Sequence, residues 1–206
     1  MTSQKKRFYD LAEFPAISDI TLNWESIRDE VESLPDVILD IDRVNKSHEQ
    51  VYDEMKAIGQ NGWLKGWNTD GQANEKWLTY PIRFYDTMVF NIKDTMPKTS
   101  QLVESLKGVR VCALNKMRPD LFLGTHEHPD HRTRGTLLYH LCLTMEQSDK
   151  PFNYLNVDGE FVQQLPGKAY IFDGSLPHFA LNASLSDRTI MYIEFYQDKI
   201  ANSGVV

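Results

Sequence analysis

The sequence predicts a mainly β chain of the α+β class, in which N-terminal helices pack on a C-terminal β-barrel. Two patterns support this prediction, and the first gives way to the second near Gly108. Before that residue apolar side chains recur at helical spacing, whereas after it short apolar runs alternate with turn signals, as in sandwiches and barrels. A length of 206 residues fits one domain better than two. We therefore expect one domain, 1–206, with a helical and loop part at 1–107 and a β core at 108–200.

Three segments of the first part are predicted to be helices. Apolar residues recur at helical spacing over residues 24–34, and Pro35 ends that segment. Residues 47–58 form a second candidate with a weaker pattern. Residues 97–107 form the third, which is opened either by Thr95 or by the proline at its first position.

The second part is predicted to form strands. Turn signals such as Asp158-Gly159 and Pro166-Gly167 separate short apolar runs that are typical of half-buried or buried strands. The clearest predicted strands are residues 109–117, 136–144, 161–163, 168–172 and 189–196.

The composition and charge argue against nucleic-acid and membrane partners. The formal net charge is −7, and binding to phosphates requires clustered Lys and Arg. No run approaches the roughly 20 apolar residues of a membrane span, and acidic residues and Pro15 interrupt residues 8–20, where a signal peptide would have its apolar core. Cys112 and Cys142 lie in apolar segments, which favours buried free thiols and a reducing compartment. We expect a soluble, cytoplasmic protein, and the sequence does not indicate its oligomeric state.

Histidines are concentrated in the strand-rich part. Five of the six lie between positions 126 and 178. In an extended segment, His126 and His128 point to the same face, so they can share one metal ion. Imidazole suits iron, zinc, copper and nickel, and the spacing alone does not choose among them. The alternative interpretation is a polar loop whose histidines face water.

A third histidine and an arginine follow at a distance that strengthens the prediction of a metal site. His178 comes after the apolar run 169–172 and a tight turn, which is a good way to place a ligand at the mouth of a barrel. Arg188 follows His178 by ten residues, and if the intervening segment is a hairpin, it returns close to that histidine. A guanidinium there presents a fork that suits a carboxylate. Taken alone, an arginine such as Arg188 is more often a surface residue or a member of a structural ion pair.

Several motifs carry a family resemblance over most of the chain. They are residues 8–15, 96–99, 108–110, 114–119, 123–129, 135–141, 171–178 and 187–188. Together they resemble the aspartyl/asparaginyl β-hydroxylase family of 2-oxoglutarate-dependent oxygenases.

The resemblance implies a double-stranded β-helix of the cupin or jelly-roll type, with Fe(II), 2-oxoglutarate and O2 as the reactants besides the substrate. The substrate would be an aspartyl, asparaginyl or other amino-acid residue of a peptide or small molecule, hydroxylated at a C–H bond. By the same resemblance, His126 and His178 are catalytic metal ligands, Arg188 binds the distal carboxylate of 2-oxoglutarate, and His140 and Asn115 contact that co-substrate.

The chain departs from the family pattern in three places. Many relatives have an Asp or Gly where His128 stands, so the third ligand is His128, or absent, or Asp130 if the register slips to His128-Pro129-Asp130. About three extra residues precede the strand that carries His140. Leu138 stands where relatives often have an arginine, which Arg132 or Arg134 could replace.

Two rival functions remain open at this point. The segment 174–182 also looks like the second motif of other cupins, which include isomerases and oxygenases without a co-substrate, and these have no need of Arg188. A binding module of the same fold without catalysis is the second rival. The acidic stretch 36–42 and the segment 59–71 are either ordinary loops or parts of a lid over the site.

Overall fold

The computed structural model describes residues 6–43, 46–67, 73–146 and 152–202. Its helices lie mostly in the N-terminal half: α1 (Pro15–Leu22), α2 (Trp24–Glu32), α3 (His48–Ile58), α4 (Pro97–Glu104) and the short α5 (Asp130–Arg134), with a 3₁₀ turn at Leu11–Glu13. The strands are β1 (Phe8–Tyr9), β2 (Leu64–Trp67), β3 (Ala73–Phe84), β4 (Thr87–Met88), β5 (Leu106–Lys107), β6 (Val109–Met117), β7 (Leu121–His126), β8 (Thr136–Thr144), β9 (Asn153–Val157), β10 (Glu160–Gln163), β11 (Ala169–Phe172), β12 (His178–Asn182), β13 (Arg188–Tyr196) and β14 (Ala201–Asn202).

The three predicted helices are confirmed. Helix α2 buries Ile27 and Val31 on one face and packs on β8, as its helical spacing predicts. Helix α3 has Ser47 as its N-cap, in a capping box with Gln50. Helix α4 begins at Pro97, but it ends at Glu104, since the chain then enters strand β5.

The strands form two facing antiparallel sheets, which give a jelly-roll rather than a closed barrel. The larger sheet has the order β1-β11-β8-β13-β6-β3-β2, with β4 beside β3. The smaller sheet has the order β10-β9-β12-β7, and β14 pairs with β5 separately. All five predicted strands are present. The predicted mainly β fold with N-terminal helices packed on it is therefore confirmed.

The division at residue 108 is wrong, because β2 and β3 precede it and belong to the larger sheet. The alternation that marks β3 is present in the sequence, since Leu78, Tyr80 and Ile82 are buried in turn. Pro81 interrupts this alternation in the sequence and argues against a strand. In the structure it lies where the register of the pairing between β3 and β6 shifts, a position at which a strand can contain proline.

The expected loop at 59–71 is also partly wrong. Residues 64–67 form β2, while residues 68–71 lie outside the described part of the chain. Gly66 suggests a loop, yet a Cβ there would lie 2.4 Å from a ring atom of Trp77, so the glycine permits a close approach across the strand pair. In the acidic stretch, Leu39 and Ile41 are buried.

The helices cover the outer face of the larger sheet, and the hydrophobic core lies between them. Tyr139 of β8 points into this layer, where its hydroxyl lies 2.8 Å from Thr21 Oγ1. Cys112 and Cys142 are buried free thiols, as expected, and burial raises the pKa of each to about 12. Among the described residues, no helix is long and apolar enough to cross a membrane.

Candidate metal centre

Three histidines meet between the two sheets. His126 ends β7 and His178 begins β12, and these two residues are paired across the strands. His128 lies just beyond β7, where its backbone N–H donates to the carbonyl of Gly174 at 2.9 Å. One ring nitrogen from each histidine lies within 4.8 Å of the others. The structure therefore brings together the three predicted histidine ligands.

Backbone carbonyls fix the tautomer of two of these rings. Nδ1 of His126 lies 2.8 Å from the carbonyl oxygen of Gly124, and Nδ1 of His178 lies 2.8 Å from that of Leu176. Because a carbonyl can only accept, each Nδ1 carries the proton and each Nε2 keeps a lone pair. Metal-binding histidines are commonly oriented in this way.

Burial keeps His128 and His178 in the neutral form that binds metals. Burial, together with the neighbouring imidazoles, lowers the pKa of His128 to about 3 and that of His178 to about 3. At neutral pH both rings therefore offer a lone pair without first losing a proton.

The turn before His178 needs a glycine at position 174, because side chains of neighbouring segments pack closely against its backbone. A Cβ at Gly174 would lie 2.6 Å from His131 Nδ1 and 2.8 Å from Leu138 Cδ1. The tight turn is closed by Asp173, whose carboxylate accepts the backbone N–H of Ser175 at 2.9 Å. The sequence signal Asp-Gly thus reflects both a turn and a close approach.

The alternative ligand Asp130 lines the same cavity but is not part of the group that the three histidines form. It is the first residue of α5, and its carboxylate accepts a hydrogen bond from Arg134 at 2.8 Å. Its side chain is 70% exposed. The geometry therefore favours His128 over the register slip as the source of a third ligand.

A cavity of about 820 Å³ lies between the sheets and is lined by these histidines and by alternate residues of the larger sheet. Arg188 lines it at the start of β13 and is 2% exposed. Strands β12 and β13 lie in different sheets, so the segment between His178 and Arg188 is not the expected hairpin. The two residues nevertheless face the same cavity.

Arg188 is a buried cation whose partners are neutral. One of its terminal nitrogens donates to Met117 Sδ at 2.8 Å and the other to the amide oxygen of Gln164. Its Nε has no hydrogen-bond partner, and no carboxylate pairs with it among the described residues. Burial lowers its pKa to about 10, so it stays charged at neutral pH.

The other two predicted co-substrate residues line the same cavity. His140 is buried, and its Nδ1 has no hydrogen-bond partner in the described part of the chain. Burial lowers the pKa of His140 well below the usual value, as does the charge of Arg188. The amide oxygen of Asn115 accepts a hydrogen bond from Thr79 at 3.0 Å. Tyr139 faces the helices instead, as the alternation predicts.

A buried ionic cluster at the other end of the cavity was not predicted. Glu194 of β13 pairs with Arg110, accepts a hydrogen bond from Thr136 at 3.0 Å and has its Oε1 3.4 Å from His131 Nε2. The ring of His131 stacks on that of His128, with centroids 4.7 Å apart. The available signal was Glu194 itself, which stands six residues after Arg188 in an otherwise mainly apolar strand, so that both side chains point to the same face.

The inserted arginines differ in position. Arg134 and Leu138 both line the cavity, and the side chain of Arg134 is held by Asp130. Arg132 is exposed, and the lining residues within the described ranges do not include it. Of the two candidates for the missing arginine, the position of Arg134 is the more suitable.

A family model described as aspartyl/asparaginyl beta-hydroxylase matches residues 21–198. The chain belongs to the aspartyl/asparaginyl β-hydroxylase family. It is thus a member of a hydroxylase family, and its three histidines form a site that can hold a metal ion.

Two sequence relatives match this family member over most of its length. An ornithine lipid ester-linked acyl 2-hydroxylase of Rhizobium tropici is 25% identical over 188 residues, which are 91% of this chain and 59% of the relative. An uncharacterized protein of Acanthamoeba polyphaga mimivirus is 24% identical over 204 residues, covering 93% of this chain and 70% of that protein. The chain thus spans about three fifths of the Rhizobium relative.

Solved structures with partial similarity include cupins and oxygenases. A 2OG-Fe(II) oxygenase family oxidoreductase from Burkholderia pseudomallei has a TM-score of 0.45 and 11% identity, covering 82% of this chain and 98% of its own. A predicted oxalate decarboxylase from Thermotoga maritima has a TM-score of 0.44 and 15% identity, covering 67% and 95% respectively.

Proposed function

We propose that this chain is an Fe(II)- and 2-oxoglutarate-dependent dioxygenase that hydroxylates a C–H bond of an amino-acid residue. The observation that carries the proposal is the pairing of two features in one cavity. Three imidazoles converge on one point, and the buried guanidinium of Arg188 faces the same space without a carboxylate partner among the described residues. A dicarboxylate that also binds a metal satisfies both features.

The donor set fits a catalytic iron. His126, His128 and His178 supply nitrogen ligands that iron accepts, and three protein ligands leave other coordination positions open. Bound there with 2-oxoglutarate and O2, iron would couple two two-electron oxidations, in which one oxygen atom of O2 enters the substrate C–H bond and the other enters succinate as 2-oxoglutarate loses CO2.

The residues of the chain bind and orient the reactants. Arg188 holds the distal carboxylate of 2-oxoglutarate with a charge-assisted hydrogen bond. His140 and Asn115 line the wall beside it and offer polar atoms to the rest of that molecule. The apolar side chains of Ile190 and Ala113 exclude water between these groups.

The family description supports an aspartyl, asparaginyl or other amino-acid residue, in a peptide or small molecule, as the substrate. The Rhizobium relative is named for a lipid acyl chain, so a substrate screen needs peptides, free amino acids and lipids as separate arms. Product mass, with a gain of one oxygen atom, identifies the arm.

The test is succinate formation by iron-loaded protein supplied with 2-oxoglutarate and O2. We expect wild type to form succinate and His178→Ala to lose both metal binding and turnover. In Arg188→Ala, the KM for 2-oxoglutarate should rise by about tenfold or more. Arg132→Ala is the matched control, because it removes an exposed arginine outside the cavity lining.

A second readout does not depend on turnover. 2-Oxoglutarate added with a redox-inert divalent ion should raise the thermal midpoint of wild type and of Arg132→Ala, but not that of Arg188→Ala. Absence of both succinate and a thermal shift in folded wild type would refute the proposal. Metal-dependent activity that survives Arg188→Ala would instead favour a cupin that uses no co-substrate.

A further inference from the structure

The side chain of Gln164 supports Arg188 from outside the cavity. Gln164 directly follows β10 and is 2% exposed. Its backbone N–H donates to the carbonyl of Asn153 at 2.8 Å, which anchors it beside β9. Its amide oxygen accepts a hydrogen bond from Nη2 of Arg188. The residues that line the cavity, within the described ranges, do not include Gln164.

The other side of the guanidinium faces a much weaker partner. Nη1 of Arg188 contacts the thioether of Met117, which does line the cavity. A thioether sulfur is a weak acceptor, so a carboxylate oxygen readily takes its place. The guanidinium is thus held firmly on the side away from the cavity and weakly on the side where a ligand would bind.

Arg110, another arginine that lines the cavity, has a partner of different charge. Arg110 is paired with the buried carboxylate of Glu194, so its charge is compensated within the protein. Arg188 meets an amide instead of a carboxylate. Glutamate has nearly the size and shape of glutamine, so the structure would accommodate a carboxylate at 164, but that group would neutralise the guanidinium.

We propose that Gln164 is a positioning residue, which fixes the guanidinium of Arg188 and, being uncharged, leaves it free to pair with the carboxylate of a bound ligand. This inference rests on the proposed function, in which that ligand is 2-oxoglutarate. The side-chain amide of Gln164 thus helps to set the affinity of the protein for 2-oxoglutarate without contacting this co-substrate.

The first test compares Gln164→Glu with Gln163→Glu. Both add one negative charge at neighbouring positions, but Gln163 is exposed and its side chain has no contact with Arg188. Thermal shift is followed during titration with 2-oxoglutarate in the presence of Zn(II). We expect the half-saturating concentration to rise by about tenfold or more in Gln164→Glu and by less than about twofold in Gln163→Glu. The shift caused by Zn(II) alone should be unchanged in both.

A second variant, Gln164→Met, removes the acceptor without adding charge and keeps the test valid if the glutamate variant does not fold. In succinate formation, its KM for 2-oxoglutarate should rise by about threefold to tenfold, with kcat at saturation close to wild type. A fall in kcat at unchanged KM would indicate a merely structural role and overturn the inference.

The two proposals fail in different ways. If wild type responds to 2-oxoglutarate and Gln164→Glu titrates like wild type, the inference about Gln164 is wrong and the proposed function stands. If folded wild type neither shows a thermal shift with 2-oxoglutarate nor forms succinate, both are wrong.

Discussion

Glu194 is the residue on which the buried charges at one end of the cavity depend. It is 2% exposed and holds Arg110, while its other oxygen accepts from Thr136 and approaches His131. Removing one member of such a pair is costly, because the remaining charge is left buried without compensation. The cluster also supports His128 through the stacked ring of His131.

Replacement of Glu194 by alanine should therefore destabilise the fold strongly. We expect a loss of about 3–5 kcal/mol in the free energy of unfolding, measured by urea denaturation. Asp130→Asn is the control, because it breaks an exposed pair with Arg134 and should cost less than about 1 kcal/mol. The control should also retain wild-type metal affinity. Similar losses of unfolding free energy in the two variants would contradict this account of Glu194. Weaker metal binding by Asp130→Asn would indicate that Asp130 is a metal ligand after all.

At the scale of elements, helix α4 depends on a cap supplied by another helix. Its N-cap residue, Met96, has no capping side chain. The carboxylate of Glu30 in α2 instead accepts the backbone N–H groups of Lys98 at 2.7 Å and Thr99 at 2.9 Å, and the hydroxyl of Thr99 at 2.7 Å. This cap joins two helices that are far apart in sequence.

We expect Glu30→Ala to lower the free energy of unfolding by about 1–2 kcal/mol, since it leaves two backbone donors at a helix terminus without their acceptor. Glu32→Ala changes an exposed glutamate of the same helix and should stay within about 0.5 kcal/mol of wild type. Equal effects in urea denaturation would show that the cap contributes nothing specific.

The sequence predicts elements well where the local pattern is undisturbed. Strands β6 and β8 have the predicted bounds, because each begins directly after a glycine, Gly108 or Gly135, and consists mainly of apolar residues. Strand β3 escaped prediction because Pro81 interrupts its alternation, and tertiary pairing with β6 overrides this local signal.

The residues of the candidate site also fall into those that the sequence predicts and those that it does not. His126, His128, His178 and Arg188 were predicted because their residue types suit metal and carboxylate binding and because their motifs resemble those of a known family. Gln164 was not, because its contact with Arg188 joins segments of different sheets and glutamine has no distinctive chemistry in a sequence. Contacts of that kind depend on how the two sheets face each other.

For the whole molecule, the buried histidines link stability to pH. In the metal-free protein, burial lowers the pKa of His178 from 6.5 to about 3. A depressed pKa means that the unfolded chain binds the proton more readily, so stability is fully present above about pH 6.5 and is lost as pH falls toward about 3.

His178→Gln should therefore reduce the pH dependence of stability in this range. The slope of the unfolding free energy between pH 6 and 4 should decrease by up to about 1.4 kcal/mol per pH unit. Urea denaturation of metal-free wild type and variant at several pH values gives both slopes. Parallel curves would show that His178 is as readily protonated in the folded as in the unfolded protein.

Strand β13 carries Arg188 at one end of the cavity and Glu194 at the other, with Ile190 and Tyr192 facing inward between them. At about 3.3 Å per residue, these charges are held roughly 20 Å apart along one strand. A substitution at either end changes the chemistry there while the spacing is kept. An insertion or deletion of a single residue between them would turn one of the two away from the cavity, because alternate residues face opposite sides of the sheet. The length of this strand therefore matters to the site as well as the identity of its end residues.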